Sequence, residues 1–64
     1  MRESVSEFIN RVVSDYMDIR IEANDMLPIT GKKEDIISRV DGLYVMKFEM
    51  SGINEVIITA SYHA

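Results

Sequence analysis

The side chains able to do chemistry are few and scattered. There is one imidazole, His63, second from the end of the 64-residue sequence, and there is no cysteine. With one histidine and no thiol, neither a Ser-His-Asp nor a Cys-His nucleophile can be built in a rigid place, and a structural zinc lacks its side-chain set. His63 therefore reads as a terminal residue and not as a base or metal ligand. Carboxylates gather at Glu34-Asp35 and, on a helical reading, at Asp15, Asp18 and Glu22. Neither group has the spacing of a calcium loop, and both read as solvated charge. The expectation is a protein that is not an enzyme and carries no cofactor or metal.

The stretch TGKK, Thr30 to Lys33, superficially suggests a phosphate cradle. A P-loop needs a glycine five residues before its Gly-Lys pair and a hydroxyl residue after it. Gly31 is the first glycine in the chain and Lys33 follows Lys32, so the motif fails on both counts. A weaker arrangement is open to the same residues. Lys32, Lys33 and Arg39 from neighbouring protomers could converge on a phosphorylated metabolite or nucleotide, which would make the chain an oligomeric small-ligand binder. Nucleic acid is disfavoured: eleven acidic against seven basic side chains give a net charge of −4, which opposes attraction to phosphate backbones and to anionic lipid. Tyr44, Phe48 and Tyr62 could stack on bases, but their alternation puts them on the face that a helix would cover.

Sixty-four residues make a single domain, and a chain of this size removes only about 60% of its unfolded surface from water. A composition of 47% hydrophobic and 28% charged residues, with three Gly and one Pro, is that of an ordered globular chain. The opening MRESVSEF carries Glu3 and Glu7 where a signal peptide needs a cationic start. The longest apolar runs, such as Val56-Ile57-Ile58, are too short to span a bilayer. A cytoplasmic protein is expected, with neither nucleic acid nor membrane as its partner.

The elements that would position these side chains begin with a well-marked helix. Ser4 and Glu7 have capping-box spacing, and Val5, Phe8, Ile9, Val12, Val13, Tyr16 and Met17 form one helical stripe. The segment SDYMDIRIEAND fits two templates. Alternation from Met17 to Asn24 suits a strand, whereas the 4-3 spacing of Ile9, Val12, Tyr16, Ile19 and Ala23, with no breaker before Asn24, suits a helix running from 4 to 23. The absence of turn residues favours the long helix. Residues 24–33, NDMLPITGKK, read as a loop. Asp41-Gly42, between DIISRV and LYVMKFEM, has the signature of a two-residue type I′ hairpin, against a competing short helix over 32–40. A second hairpin, with Ser51 to Glu55 as its loop, puts Phe48 opposite Ile58 and Tyr44 opposite Tyr62. The predicted fold is α+β: an N-terminal amphipathic helix packed on one face of a three-stranded antiparallel β-meander, in two layers.

One helix covers one sheet face. In this register the other face presents Ile36, Val40, Leu43, Val45 and Ile57 beside Ser38, Lys47 and Thr59, an aliphatic patch of the type that marks interaction sites. Burying it is worth a few kcal/mol at about 25 cal/mol per Å², comparable with the whole stability of a small domain. Homodimerisation through these five residues is the expectation, unless the chain's own 24–34 loop or tail seals them. The functional reading is then a small acidic protein-interaction module, inhibitor- or adaptor-like and of the kind phages and mobile elements encode, that binds a larger protein. The small-ligand binder is the alternative.

Overall fold

The computed structural model describes residues 2–63. Helix α1 spans Val5–Val12, and the capping box is only half formed: Ser4 Oγ accepts from the Glu7 N–H at 3.2 Å. The helix stops after two turns at Val13, whose backbone is extended, and a turn at Ser14–Met17 leads into strand β1, Asp18–Ala23. The predicted helix over 4 to 23 is thus corrected to helix, turn and strand. As a long helix the segment would leave Ile21 facing solvent. As a strand it buries Ile19 and Ile21 together at 1% and 0% exposure, and burial of two isoleucines outweighs the weak helix preference of the intervening residues.

Strand β2, Ile29–Gly31, lies inside the segment expected to be loop. It is three residues long, follows Pro28 and pairs antiparallel with β1, so its alternation is too brief to stand out from its turn residues. Gly31 has φ +149, and a Cβ there would approach Ile36 Cγ2 to 3.2 Å, so the close passage of the next element demands glycine. That element is a single helical turn, α2, Lys33–Ile36, continued by a 3-10 turn over Ile37–Arg39. The first predicted hairpin is therefore replaced by the competing helical reading. Asp41 does not take the positive φ that a type I′ turn requires; only Gly42 does, at +82, and Leu43 N–H closes the turn onto Val40 C=O at 3.2 Å.

Strands β3, Tyr44–Ser51, and β4, Glu55–Ser61, form the second hairpin. Phe48 stands opposite Ile58 as the sequence predicts, but Tyr44 stands opposite Ser61, because the register shifts between Val45 and Lys47. This β-bulge inserts one extra residue and flips the parity of the strand. Before it, Leu43 and Val45 turn inward; after it, Phe48 shares the inner face with Ile58. The sheet has four strands in the order β2-β1-β4-β3, mixed and not purely antiparallel: β1 and β4 pair in parallel, with Ile19 beside Val56, Ile21 beside Ile58 and Ala23 beside Ala60. A parallel pair needs a long crossover, and residues 24–54 supply it through β2, α2 and β3.

The α+β class stands, with both helical segments on one sheet face. Val5, Phe8 and Ile9 from α1, Val13, Met17, Ile36, Val40 and Leu43 pack with the inward residues of the strands into one core cluster, which holds no buried polar side chain among the described residues. The opposite face is bare but polar, with Arg20, Lys47 and Glu49 exposed and Glu22, Glu55, Ile57 and Thr59 half-buried. Leu43→Ala should accordingly lower the unfolding free energy in urea by about 2–5 kcal/mol, against about 1 kcal/mol for Ile57→Ala on the bare face. Equal costs would contradict the register described.

Candidate functional site

The five residues expected to form an exposed patch do not do so. Ile36, Val40 and Leu43 are buried to 0%, 1% and 1%, and Val45 packs against the core. The bulge explains Leu43 and Val45, and the helical turn that replaced the first hairpin explains Ile36 and Val40. Ile57 alone faces the uncovered side, with Arg20 on one neighbouring strand and Glu49 on the other.

Two of the three predicted anion-binding cations, Lys32 and Lys33, are occupied by the chain itself. Lys32 Nζ donates to the Tyr16 carbonyl at 3.0 Å and to Asp18 Oδ1 at 2.7 Å. Lys33 Nζ donates to the Val13 carbonyl at 3.3 Å and lies 3.7 Å from Asp15. Both lysines thus pin the turn between α1 and β1, satisfying backbone carbonyls of that turn. Arg39 is exposed at the end of the 3-10 turn and shares no side-chain hydrogen bond or ion pair with them among the described residues. Asp15 and Asp18, placed on one helical face by the sequence, are instead tied to these lysines on a turn and a strand. Among the described residues no group of three or more His, Asp or Glu is arranged to hold a metal, and no helix is long and apolar enough to cross a membrane.

The most distinctive surface lies along β3, which with β2 is one of the two edge strands of the sheet. Its beginning is covered by the N-terminal segment: Val5 N–H donates to Leu43 C=O at 2.9 Å and Val45 N–H to Glu3 C=O at 2.8 Å. Past Val45, no strand among the described residues pairs with this edge. Leu43 and Val45 direct these backbone groups outward, and the bulge shifts that alternation by one residue, so the N–H and C=O of Phe48 and Met50 turn to the open edge. Apolar side chains lie exposed beside them. Met46, at the bulge, is 50% exposed, Phe48 51% and Met50 56%.

Helix α1 is too short to cover this stretch. Two turns bring Phe8 against Phe48, with ring centroids 4.7 Å apart and tilted by 52°, and there the helix ends, leaving Val12 exposed. The result is an open groove with Phe8 on one wall and Val45, Met46 and Phe48 on the other. Glu3 and Arg11 close its end. Arg11 Nε donates to Glu3 Oε2 at 3.1 Å, and its guanidinium lies 5.9 Å from the Phe8 ring centroid. The hydrogen bond from Arg11 is the main reason the Glu3 carboxyl is held below its usual range, and Arg11 is raised in return. An extended chain added here would find backbone partners on one side and an aromatic and aliphatic wall on the other.

Sequence reasoning missed the site because it assigned Tyr44 and Phe48 together to a face covered by the helix. The available signal was the length of the strand: eight residues of β3 against the two turns of helix that the capping box and Val5, Phe8 and Ile9 firmly support. Comparisons with protein-family models, with curated proteins and with solved structures bring no match.

The Glu3–Arg11 pair makes a pH prediction. A carboxyl whose folded pKa is lowered contributes stability above its unfolded value and loses it as pH falls through the folded one. The melting temperature of Glu3→Gln should therefore lie slightly below wild type at neutral pH and converge with it as pH drops below 4.5, the ordinary value for this group. A gap between the two that stays constant down to acid pH would show that the pair contributes nothing.

Proposed function

We propose that this chain is a small protein-interaction module, inhibitor- or adaptor-like and without chemistry of its own, which works by offering the open edge of β3 to another polypeptide. The observation that carries the reading is the coincidence, on one strand, of unpaired backbone groups and half-exposed Phe48 and Met50 beside a helix that stops short of them. Soluble proteins ordinarily blunt an edge strand with charge, proline or a covering segment. Here the N-terminal segment covers β3 only as far as Val45; beyond it no segment among the described residues covers the edge, and Phe48 and Met50 stay half-exposed on one face with Lys47 and Glu49 exposed on the other. Strand addition fits this arrangement, with main-chain hydrogen bonds giving affinity and alternate side chains giving selectivity.

A photo-crosslinking amino acid placed at residue 50, on the edge, and separately at residue 57, on the bare sheet face, distinguishes the surfaces. In cells expressing either variant, position 50 should yield adducts with a protein, whether another copy of this chain or a different one, and position 57 should yield few. No adduct at 50, or equal yield at both positions, would contradict the proposal.

A further inference from the structure

We infer that the strand this edge accepts is β3 of a second copy of the chain, paired antiparallel about a two-fold axis through Phe48; the inference rests on the edge reading above and names its occupant. In an antiparallel pair related by a two-fold axis, each residue faces the residue equally far on the other side of the centre. The open stretch reads Met46-Lys47-Phe48-Glu49-Met50. Centred on Phe48, it places Phe48 opposite the partner's Phe48, Lys47 opposite the partner's Glu49, and Glu49 opposite the partner's Lys47. Apolar therefore meets apolar, and each charge meets its opposite. Displacing the centre by one residue, to Lys47 or to Glu49, sets Lys47 opposite the partner's Lys47 or Glu49 opposite the partner's Glu49, and centres the pair on a residue whose backbone groups turn toward β4 and not toward the open edge.

Three structural features support this register. The bulge turns the backbone N–H and C=O of Phe48 to the open edge, so the central pair can exchange two main-chain hydrogen bonds. Lys47 and Glu49 both lie on the bare face of the sheet, in register with Thr59 and Ile57, and neither takes part in an ion pair among the described residues. On the other face, Phe48 already leans on Phe8 and is half exposed; a second Phe48 would continue that aromatic contact across the axis. The pairing is isologous and closes on itself, giving an eight-stranded sheet in a dimer and not a growing fibre.

The net charge of −4 on each copy opposes association, an effect that salt at physiological ionic strength screens over about 8 Å. The seam pairs act at contact. Directly opposed charges across an antiparallel pair attract and like charges repel, and the two-fold axis makes each such pair occur twice.

Charge reversal at the seam tests register and occupant together. By sedimentation equilibrium at about 0.15 M salt, the wild type should be a dimer at micromolar concentration. Lys47→Glu and Glu49→Lys should each weaken dimerisation on the order of tenfold. An equimolar mixture of the two variants should recover a dimer at wild-type concentration, because each seam pair becomes opposite in sign again. The double variant K47E/E49K should recover it alone. Both residues are exposed, so folding should be preserved, which circular dichroism checks. A wild type that stays monomeric, or single variants whose weakening neither mixing nor the double exchange repairs, would overturn the inference. A monomer that still crosslinks to a different protein through residue 50 leaves the edge reading standing, whereas no adduct at residue 50 removes both.

Discussion

The parallel contact between β1 and β4 is the constraint from which the other features follow. It joins segments more than thirty residues apart in sequence, and its inward rows, Ile19 with Val56 and Ile21 with Ile58, are the most completely buried part of the sheet. Parallel strands cannot be joined by a tight turn, so the intervening chain must leave the sheet and return. It does so through β2, the α2 turn and β3. Because β1 occupies one side of β4, β3 is left among the described residues with β4 as its one full-length neighbour. The open edge is a consequence of the topology and not a local accident.

Helix length then decides what that edge looks like. A helix advances about 1.5 Å per residue and a strand about 3.3 Å. Eight residues of α1 therefore cover less than half the length of eight residues of β3. Phe8 reaches Phe48, and Met50 stays 56% exposed beyond the helix. Lengthening α1 would repair this, but the residues needed, from Asp18 onward, are committed to β1. The same segment cannot both complete the central parallel pair and shield the outer strand. In a chain with no disulfide, stability near the lower end of the usual range of about 5–15 kcal/mol makes the central pair the stronger claim on that sequence.

Much of the fold was legible in the sequence, and the failures share one cause. The cap at Ser4, the start of α1, the pairing of Phe48 with Ile58 and the α+β class all rest on local patterns that survive into the structure. The long helix, the missing strand β2 and the first hairpin depend on partners distant in sequence. Periodicity leaves Asp18–Ala23 ambiguous, and only β4 resolves it. The bulge at Met46 is a one-residue event within an unbroken apolar alternation, so nothing in LYVMKFEM announces it, yet it moves Leu43 and Val45 from an imagined surface into the core. One layer of helix does leave a sheet face uncovered, but that face is polar, and the apolar surface lies instead on the edge. Lys32, Lys33 and Asp18 show the same limit: their mutual pairing follows from tertiary proximity that no spacing rule contains.

The account stands or falls on whether the backbone of β3 beyond Val45 is paired in solution. Amide hydrogen exchange of Phe48 and Met50, followed by NMR across a wide range of protein concentration, reads this directly. The structure and the proposed dimer predict that both amides exchange slowly at high concentration and speed up on dilution, while the amide of Ile53 at the hairpin tip exchanges fast throughout. Exchange at Phe48 and Met50 that is fast and independent of concentration would contradict it.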